Sequence, residues 1–96
     1  MKTIYKYKID SGVEIDEPIE KILDIQIQNG FIVLWAIVSG RQPKSKILFK
    51  IFGTGWEVDD FPGIYLKTVQ DYEGYVWHIF AETDNPQILN QGAVLV

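Results

Sequence analysis

The chain has 96 residues, an apolar fraction of 47% and a formal net charge of −4, which excludes a disordered polypeptide and allows one modest core. Its sequence pI of about 4.8 argues against long-range attraction to nucleic acid or anionic lipid, because those partners need a basic footprint. It contains no cysteine, so disulfides and thiolate chemistry are excluded.

The beginning of the chain predicts two strands. Residues 3–9 alternate aromatic or apolar residues with lysines, which is the two-residue period of a half-buried strand. A solvated lysine face is typical of a strand at a sheet edge. After a turn at residues 10–12, residues 13–16 predict a short second strand, and Pro18 ends this strand or confines it to an edge.

The strongest local signal is Asn29-Gly30, which lies between strand-like runs at residues 23–28 and 31–38. This pair predicts a hairpin, because both central residues of a type I′ turn need a positive φ. The first arm has one apolar face, and we expect Leu23, Ile25 and Ile27 on this face to point into the core. The second arm is apolar throughout, so we expect a central strand with Trp35 in the core and both faces covered by a second layer or a partner subunit.

The rest of the chain continues in the same style. Further strands are predicted at residues 46–52, 64–69 and 75–81, with Trp77 of the last strand in the core. The turn Gly53-Thr54-Gly55 ends the first of these strands. No long helix is predicted, and single helical turns fit at residues 17–24 or 85–90.

These elements predict an all-β fold: a small antiparallel sandwich or partly open barrel of six to eight short strands in meander order. We assign residues 1–82 to a single β domain and residues 83–96 to a C-terminal extension. The extension ends in the apolar run 93–96, which predicts a last short strand of the sheet or a segment docked on another subunit. The apolar strand 31–38 and this tail together favour a homo-oligomer.

The residues that usually carry catalysis are scarce. His78 is the sole histidine, and its neighbours on the same strand face, Val76 and Phe80, are apolar, so a structural role is expected. No serine lies in a nucleophile motif. Three clustered carboxylates fit no calcium loop and are expected to be solvated: Glu57, Asp59 and Asp60. The sequence therefore predicts no catalytic residue, no metal site and no cofactor.

The turn at residues 53–55 is the best candidate for a binding site. Its backbone N–H groups can face an anion, although it lacks a Walker pattern and a following helix, so a plain tight turn is the simpler interpretation. Trp56 follows in a loop, where an exposed indole can stack on a planar ligand. Two cations of the polar loop 39–45 can offset ligand charge. The candidate ligand-binding residues are Trp56, Thr54, Gly53, Gly55, Arg41 and Lys44.

Several ordered blocks of the chain resemble a family of small bacteriophage and prophage proteins with no assigned activity. The blocks are Ile22-Leu23-Asp24-Ile25-Gln26-Ile27-Gln28-Asn29-Gly30, Leu34-Trp35-Ala36-Ile37-Val38, Ile51-Phe52-Gly53-Thr54-Gly55 and Trp77-His78-Ile79-Phe80, after the opening Ile4-Tyr5-Lys6-Tyr7. The resemblance spans about residues 2–82. That family typically has a histidine after the Gly-Thr-Gly turn, where this chain has Trp56, so no role of such a histidine is carried over.

The resemblance implies a phage setting, in which small acidic proteins commonly act by binding. We therefore expect a non-enzymatic protein that antagonises host defence by sequestering a small nucleotide-like signal molecule. The alternative is a protein–protein interaction module, either an inhibitor of a host defence protein or a structural phage component. The N-terminus lacks the apolar core of a signal peptide and no run is long enough to span a membrane, so we expect a cytoplasmic protein without a membrane partner.

Overall fold

The computed structural model describes residues 1–89. The strands within this range form two antiparallel sheets. The strands are β1 (Lys2–Lys8), β2 (Glu14–Glu17), β3 (Ile19–Gln28), β4 (Phe31–Ser39), β5 (Ser45–Gly53), β6 (Ile64–Gln70) and β7 (Val76–Thr83). The sheets have the strand orders β1-β4-β3 (sheet A) and β2-β5-β7-β6 (sheet B). Buried side chains from both sheets form one apolar cluster between them. The predicted all-β class and the sandwich are confirmed.

The predicted meander order is wrong, because the chain changes sheets three times: between β1 and β2, at Pro18 between β2 and β3, and between β4 and β5. β2 pairs with β5 in sheet B, and β3, which starts one residue after Pro18, pairs with β4 in sheet A. Proline has no N–H to donate to a ladder, so the pairing of β2 ends there. The carbonyl of Pro18 instead accepts a hydrogen bond of 3.0 Å from the Ser39 N–H at the end of β4.

The Asn29-Gly30 hairpin between β3 and β4 is confirmed. Asn29 has φ 52° and Gly30 has φ 81°, as a type I′ turn requires. β4 is the central strand of sheet A, as expected. The prediction that Trp35 lies in the core is wrong, because the alternation of β4 turns Leu34 and Ala36 inward and leaves Trp35 on the outer face, where it is partly exposed.

β3 is longer and less regular than predicted. It begins at Ile19, so the helical turn considered for residues 17–24 is wrong. Register shifts against β4 interrupt its two-residue alternation twice. Ile19, Ile22 and Ile25, three residues apart, consequently all enter the core, and Leu23, which was expected to point inward, stays partly exposed.

The two ends of the sandwich are closed differently. At one end a 3₁₀ turn, Pro86–Ile88, packs beside β3, which confirms the single turn considered for residues 85–90 and buries Ile88 and Leu89. At the other end the β3–β4 turn, the turn after β5 and the β6–β7 turn surround Trp77, which packs against the core. We call this second end the tryptophan end. The predicted strand at 93–96 lies outside the described residues.

No helix within residues 1–89 is long and apolar enough to cross a membrane.

One ion pair connects the two sheets along a side of the sandwich. Lys67 of β6 in sheet B donates a hydrogen bond to the carboxylate of Asp24 on β3 in sheet A. Partial burial raises the pKa of Asp24, but hydrogen bonds from Lys67, Gln26 and the Ile25 N–H outweigh it, so the pKa lies below its ordinary value. The folded state therefore favours the ionised carboxylate.

Replacing Lys67 with Met should weaken the contact between the sheets. We expect the free energy of unfolding at pH 7 to fall by about 0.5–1 kcal/mol, a modest value because solvent screens a pair this exposed. Since the folded-state pKa of Asp24 is lowered, the stabilisation is present above a pH of about 4 and is lost as the pH falls through the folded-state value. Urea unfolding of both proteins at pH 7 and pH 3 measures the two effects.

Lys2→Met is the matched control, because Lys2 also pairs with a carboxylate, Glu20, but is far more exposed. It should change stability less than Lys67→Met. Equal losses in the two variants, or a loss in Lys67→Met that is unchanged at pH 3, would contradict the role given to the Asp24 pair.

Candidate functional site

Trp56 forms the centre of the tryptophan end. Its indole lies directly over Gly53, such that a Cβ at Gly53 would stand 2.9 Å from ring atoms of Trp56. The ring meets Trp77 edge-on, with centroids 5.5 Å apart and planes at 85°. Despite both contacts Trp56 is 59% exposed. The residue is thus an exposed indole held in a fixed orientation, as a stacking surface for a ligand requires.

Among the described residues, Trp56 lines three clefts. The first, which we call the turn cleft, has a volume of about 450 Å³ and lies between the turn after β5 and the start of β7. Its walls are mostly apolar, and its volume is within the range of small-molecule sites. The turn cleft is lined by Gly53, Thr54, Trp56, Gly74, Tyr75, Val76 and Trp77.

The second cleft, here the core cleft, opens between the two sheets and has a volume of about 400 Å³. It extends from the β3–β4 turn at Gly30 to Trp56 and Trp77, which it shares with the turn cleft. Among the described residues that line it, the charged side chains are Asp10 and Asp71, and both are acidic. The core cleft therefore offers a negative rather than a positive surface.

Asp71 organises the β6–β7 turn beside these clefts. One carboxylate oxygen accepts the indole N–H of Trp77 at 3.0 Å, and the other accepts the backbone N–H groups of Glu73 at 2.9 Å and Tyr75 at 3.0 Å. The Trp77 hydrogen bond, helped by those of the backbone, holds the pKa of Asp71 below its ordinary value despite partial burial. Asp71 therefore fixes the orientation of Trp77 and stays ionised at neutral pH.

The third cleft, the face cleft, lies on the outer face of sheet B and has a volume of about 260 Å³. His78 forms part of its wall, and both ring nitrogens bond hydroxyls: Nε2 is 2.8 Å from Thr54 Oγ1, and Nδ1 is 3.0 Å from Thr68 Oγ1. Tyr65 extends the series, with its hydroxyl 2.7 Å from that of Thr68. His78 thus anchors Thr54, which belongs to the same turn as Trp56.

The structure divides the six predicted binding residues into two groups. Gly53, Thr54, Gly55 and Trp56 lie together at the tryptophan end. Arg41 and Lys44 precede the first residue of β5, whereas Gly53 is its last residue. A strand of this length spans about 27 Å at about 3.3 Å per residue, so the two cations lie at the opposite end of the sandwich. They do not contribute to the clefts around Trp56.

Hydrogen bonds within the protein use two N–H groups of the turn and the residue after it. The Thr54 N–H donates to the carbonyl of Val76 at 3.2 Å, and the Trp56 N–H donates to the carbonyl of Gly53 at 3.1 Å. The Thr54 N–H, one of the donors considered for an anion, is therefore already used. The interpretation as a tight turn that ends β5 fits these bonds.

A basic residue does lie near the loop after Trp56, but its charge is already compensated. Lys50, on the outer face of sheet B, contacts Glu82 at 3.2 Å and Asp59 at 3.4 Å. Its hydrogen bonds to these carboxylates raise the pKa of Lys50. Lys50 thereby ties the loop that contains Asp59 to β7.

Sequence reasoning missed three residues of the site: Asp71, His78 as an anchor of Thr54, and Tyr75. Asp71 begins the β6–β7 turn, three residues before Gly74, and this Asx-turn pattern is a usable signal for a carboxylate that accepts backbone N–H groups. The partners of His78 have no such signal, because Thr54 and Thr68 lie 24 and 10 residues away.

Asp71→Asn should loosen Trp77, because an amide has a single acceptor oxygen for donors that now use two. We expect lower stability at pH 7 and an upfield shift of the Trp77 indole N–H resonance in NMR spectra. In the native protein, the stabilisation from the lowered pKa is present above a pH of about 4 and is lost as the pH falls through the folded-state value. The variant should therefore lose less stability than the native protein between pH 7 and pH 3.

Glu73→Gln is the control for this experiment, since it removes a carboxylate from the same exposed turn without removing an acceptor of the Trp77 N–H. Its indole resonance should match that of the native protein. An unchanged indole resonance in Asp71→Asn would disprove the hydrogen bond.

Comparison with known proteins assigns this chain to a family but supplies no activity. No curated protein and no solved structure matches it. A family model described as Domain of unknown function (DUF7352) matches residues 1–89, which include both sheets and the whole tryptophan end. The chain therefore belongs to the DUF7352 family.

Proposed function

We propose that this chain is a non-enzymatic binding protein that holds a small nucleotide-like molecule by stacking its base against Trp56. The observation that carries the proposal is the exposed indole fixed over Gly53 at the junction of three clefts. An aromatic side chain that is already ordered loses little conformational entropy when a ligand binds. This property favours a binding role for Trp56 over a role in packing alone.

Two contacts support the rigidity that stacking requires. The Thr54 hydroxyl bonds His78, and the Thr54 N–H bonds the carbonyl of Val76, so the turn is attached to β7 through side chain and backbone. The edge of Trp77 limits rotation of the Trp56 ring on the other side. A ligand ring can then stack without first ordering the loop.

The charges around the clefts indicate which part of a nucleotide is recognised. The described residues that line the turn and core clefts include no lysine or arginine. A phosphate there would face carboxylates such as Asp71 without a compensating cation. The proposed contacts are therefore to the base, with any phosphate directed toward solvent.

The resemblance to small phage and prophage proteins supplies the biological part of the proposal. A protein that binds a signal nucleotide without turning it over lowers its free concentration and so antagonises the defence that the signal activates. This role requires stoichiometric amounts of protein in the host cytoplasm and no catalytic group.

A second candidate function is a protein–protein interaction module. It is favoured by Phe61, on the loop that also contains Trp56, and by Tyr72, on the β6–β7 turn, which are each 83% exposed. Exposed aromatic residues of this kind are enriched at protein interfaces. In this alternative Trp56 is one residue of a flat interface with a host protein, a phage component or a second copy of the chain.

Trp56→Ala should abolish binding of nucleosides and nucleotides and cost about 1 kcal/mol or less in stability, because the side chain is mostly exposed. Calorimetry against a panel of nucleosides, cyclic nucleotides and ADP-ribose-type compounds tests this. The native protein should bind a nucleoside about as tightly as the corresponding nucleotide, because the described residues that line the clefts include no lysine or arginine. No heat with any compound would refute the proposal.

Gly53→Ala tests the packing beneath the ring. The added Cβ would lie 2.9 Å from the indole, so the ring must move, and we expect affinity for the same ligand to fall about tenfold. Gly40→Ala is the matched control, because an added Cβ there meets nothing within 4 Å and neither glycine has a positive φ. Equal affinities of the two alanine variants would show that the position of Trp56 does not control binding.

The two candidate functions differ in which residues they need. Replacing Tyr72 and Phe61 together with Ser should leave nucleoside binding unchanged if Trp56 stacks on a small ligand. If the protein is an interaction module, the double variant should lose a stoichiometric protein partner or a concentration-dependent oligomer, which light scattering measures. The native protein should then give no heat with nucleosides.

A further inference from the structure

The aromatic rings of the turn cleft are arranged as walls rather than as a stack. Trp56 and Trp77 stand at 85°, and Tyr75 is tilted by 44° to Trp77 with centroids 6.3 Å apart. Tyr75 is 61% exposed, so its ring, like that of Trp56, is accessible from the cleft. The face of each ring carries negative electrostatic potential, and walls at such angles present several faces to one compact group.

A negative charge is in direct contact with these rings: the carboxylate of Asp71, which lines the adjoining core cleft. Asp71 accepts the indole N–H of Trp77, which places a carboxylate in the plane of that ring and makes its face a better partner for a cation. The carboxylate is held by three hydrogen bonds and does not need the ligand as a partner to remain ionised.

The cations of neighbouring segments do not neutralise this potential. Lys50 is held by Glu82 of sheet B, and Lys67 is held by Asp24 of sheet A. Lys8 lies 4.0 Å from the ring centroid of Phe31, so its charge is directed at a different aromatic face. None of these three lysines is among the residues that line the turn cleft.

We propose that the turn cleft selects a ligand with a positively charged, alkylated nitrogen, which Trp56, Trp77 and Tyr75 surround and whose charge Asp71 complements. This inference rests on the proposed function, in that it names the ligand chemistry of the same site. The same chemistry has two sources: a quaternary ammonium group, or a base that N-methylation has made cationic. An anionic or neutral ring lacks the charge that these walls favour.

Two pairs of probes separate charge from shape. Choline and 3,3-dimethyl-1-butanol have the same shape, but choline alone is charged; 7-methylguanosine and guanosine differ by one methyl group and its positive charge. We expect quenching of tryptophan fluorescence to saturate with at least one of the two cations. That cation should bind at least about fivefold more tightly than its neutral counterpart, as cation–π contacts of this type allow.

The pattern of binding distinguishes the two ligand sources, and it separates failure of this inference from failure of the proposed function. Tighter binding of choline indicates an ammonium ligand, and tighter binding of 7-methylguanosine indicates a methylated base; both support the inference. Equal binding of guanosine and 7-methylguanosine, with no binding of choline, overturns the inference and leaves the nucleotide-binding function intact. If neither the four compounds nor the nucleotide panel binds, both the inference and the proposed function are overturned.

Variants identify the groups responsible. Tyr75→Leu and Asp71→Asn should each reduce the cation-to-neutral affinity ratio several-fold, whereas Glu73→Gln, which removes an exposed carboxylate of the same turn, should leave the ratio unchanged. The ratio is informative because a loss of folding stability lowers the affinity for both members of a pair. An unchanged ratio in both Tyr75→Leu and Asp71→Asn overturns the assignment of these residues.

Discussion

The pairing of Gly53 with Trp77 across β5 and β7 is the constraint on which the tryptophan end depends. At this position the large side chain of Trp77 lies beside Gly53, which has no side chain. The space above Gly53 is taken by the indole of Trp56, which the turn after β5 brings back over its own strand. Any residue larger than glycine at position 53 would displace this ring, and the three clefts that Trp56 separates would change shape together.

The structure shows which parts of the fold local sequence encodes. The Asn29-Gly30 turn was predictable because its positive φ values depend on two adjacent residues. The crossing at Pro18 was only half predictable: the missing N–H ends β2, but nothing nearby in the sequence specifies that the next strand joins the other sheet. Trp35 was misplaced because a strand that is apolar at every position gives no periodicity from which to choose an inner face.

The candidate site was predictable in its centre and not at its margins. Trp56 stood out because it is a tryptophan in a loop. Arg41 and Lys44 were grouped with it on charge alone, yet the length of β5 places them at the other end of the molecule. Tyr75 and Asp71 belong to the β6–β7 turn, which reaches Trp56 only because β7 pairs with β5, and pairing between strands that are distant in sequence is not encoded by composition or spacing.

The distribution of ion pairs accounts for the chemical character of the clefts. Lys50 and Lys67 are engaged with carboxylates on β7 and β3, where they hold a loop and a sheet edge in place. Among the described residues, no lysine pairs with Asp71. Three N–H groups donate hydrogen bonds to its carboxylate, but they do not neutralise its charge. The residue that fixes Trp77 therefore also adds negative charge beside the site, so the orientation of Trp77 and the cation preference that we propose have one physical origin.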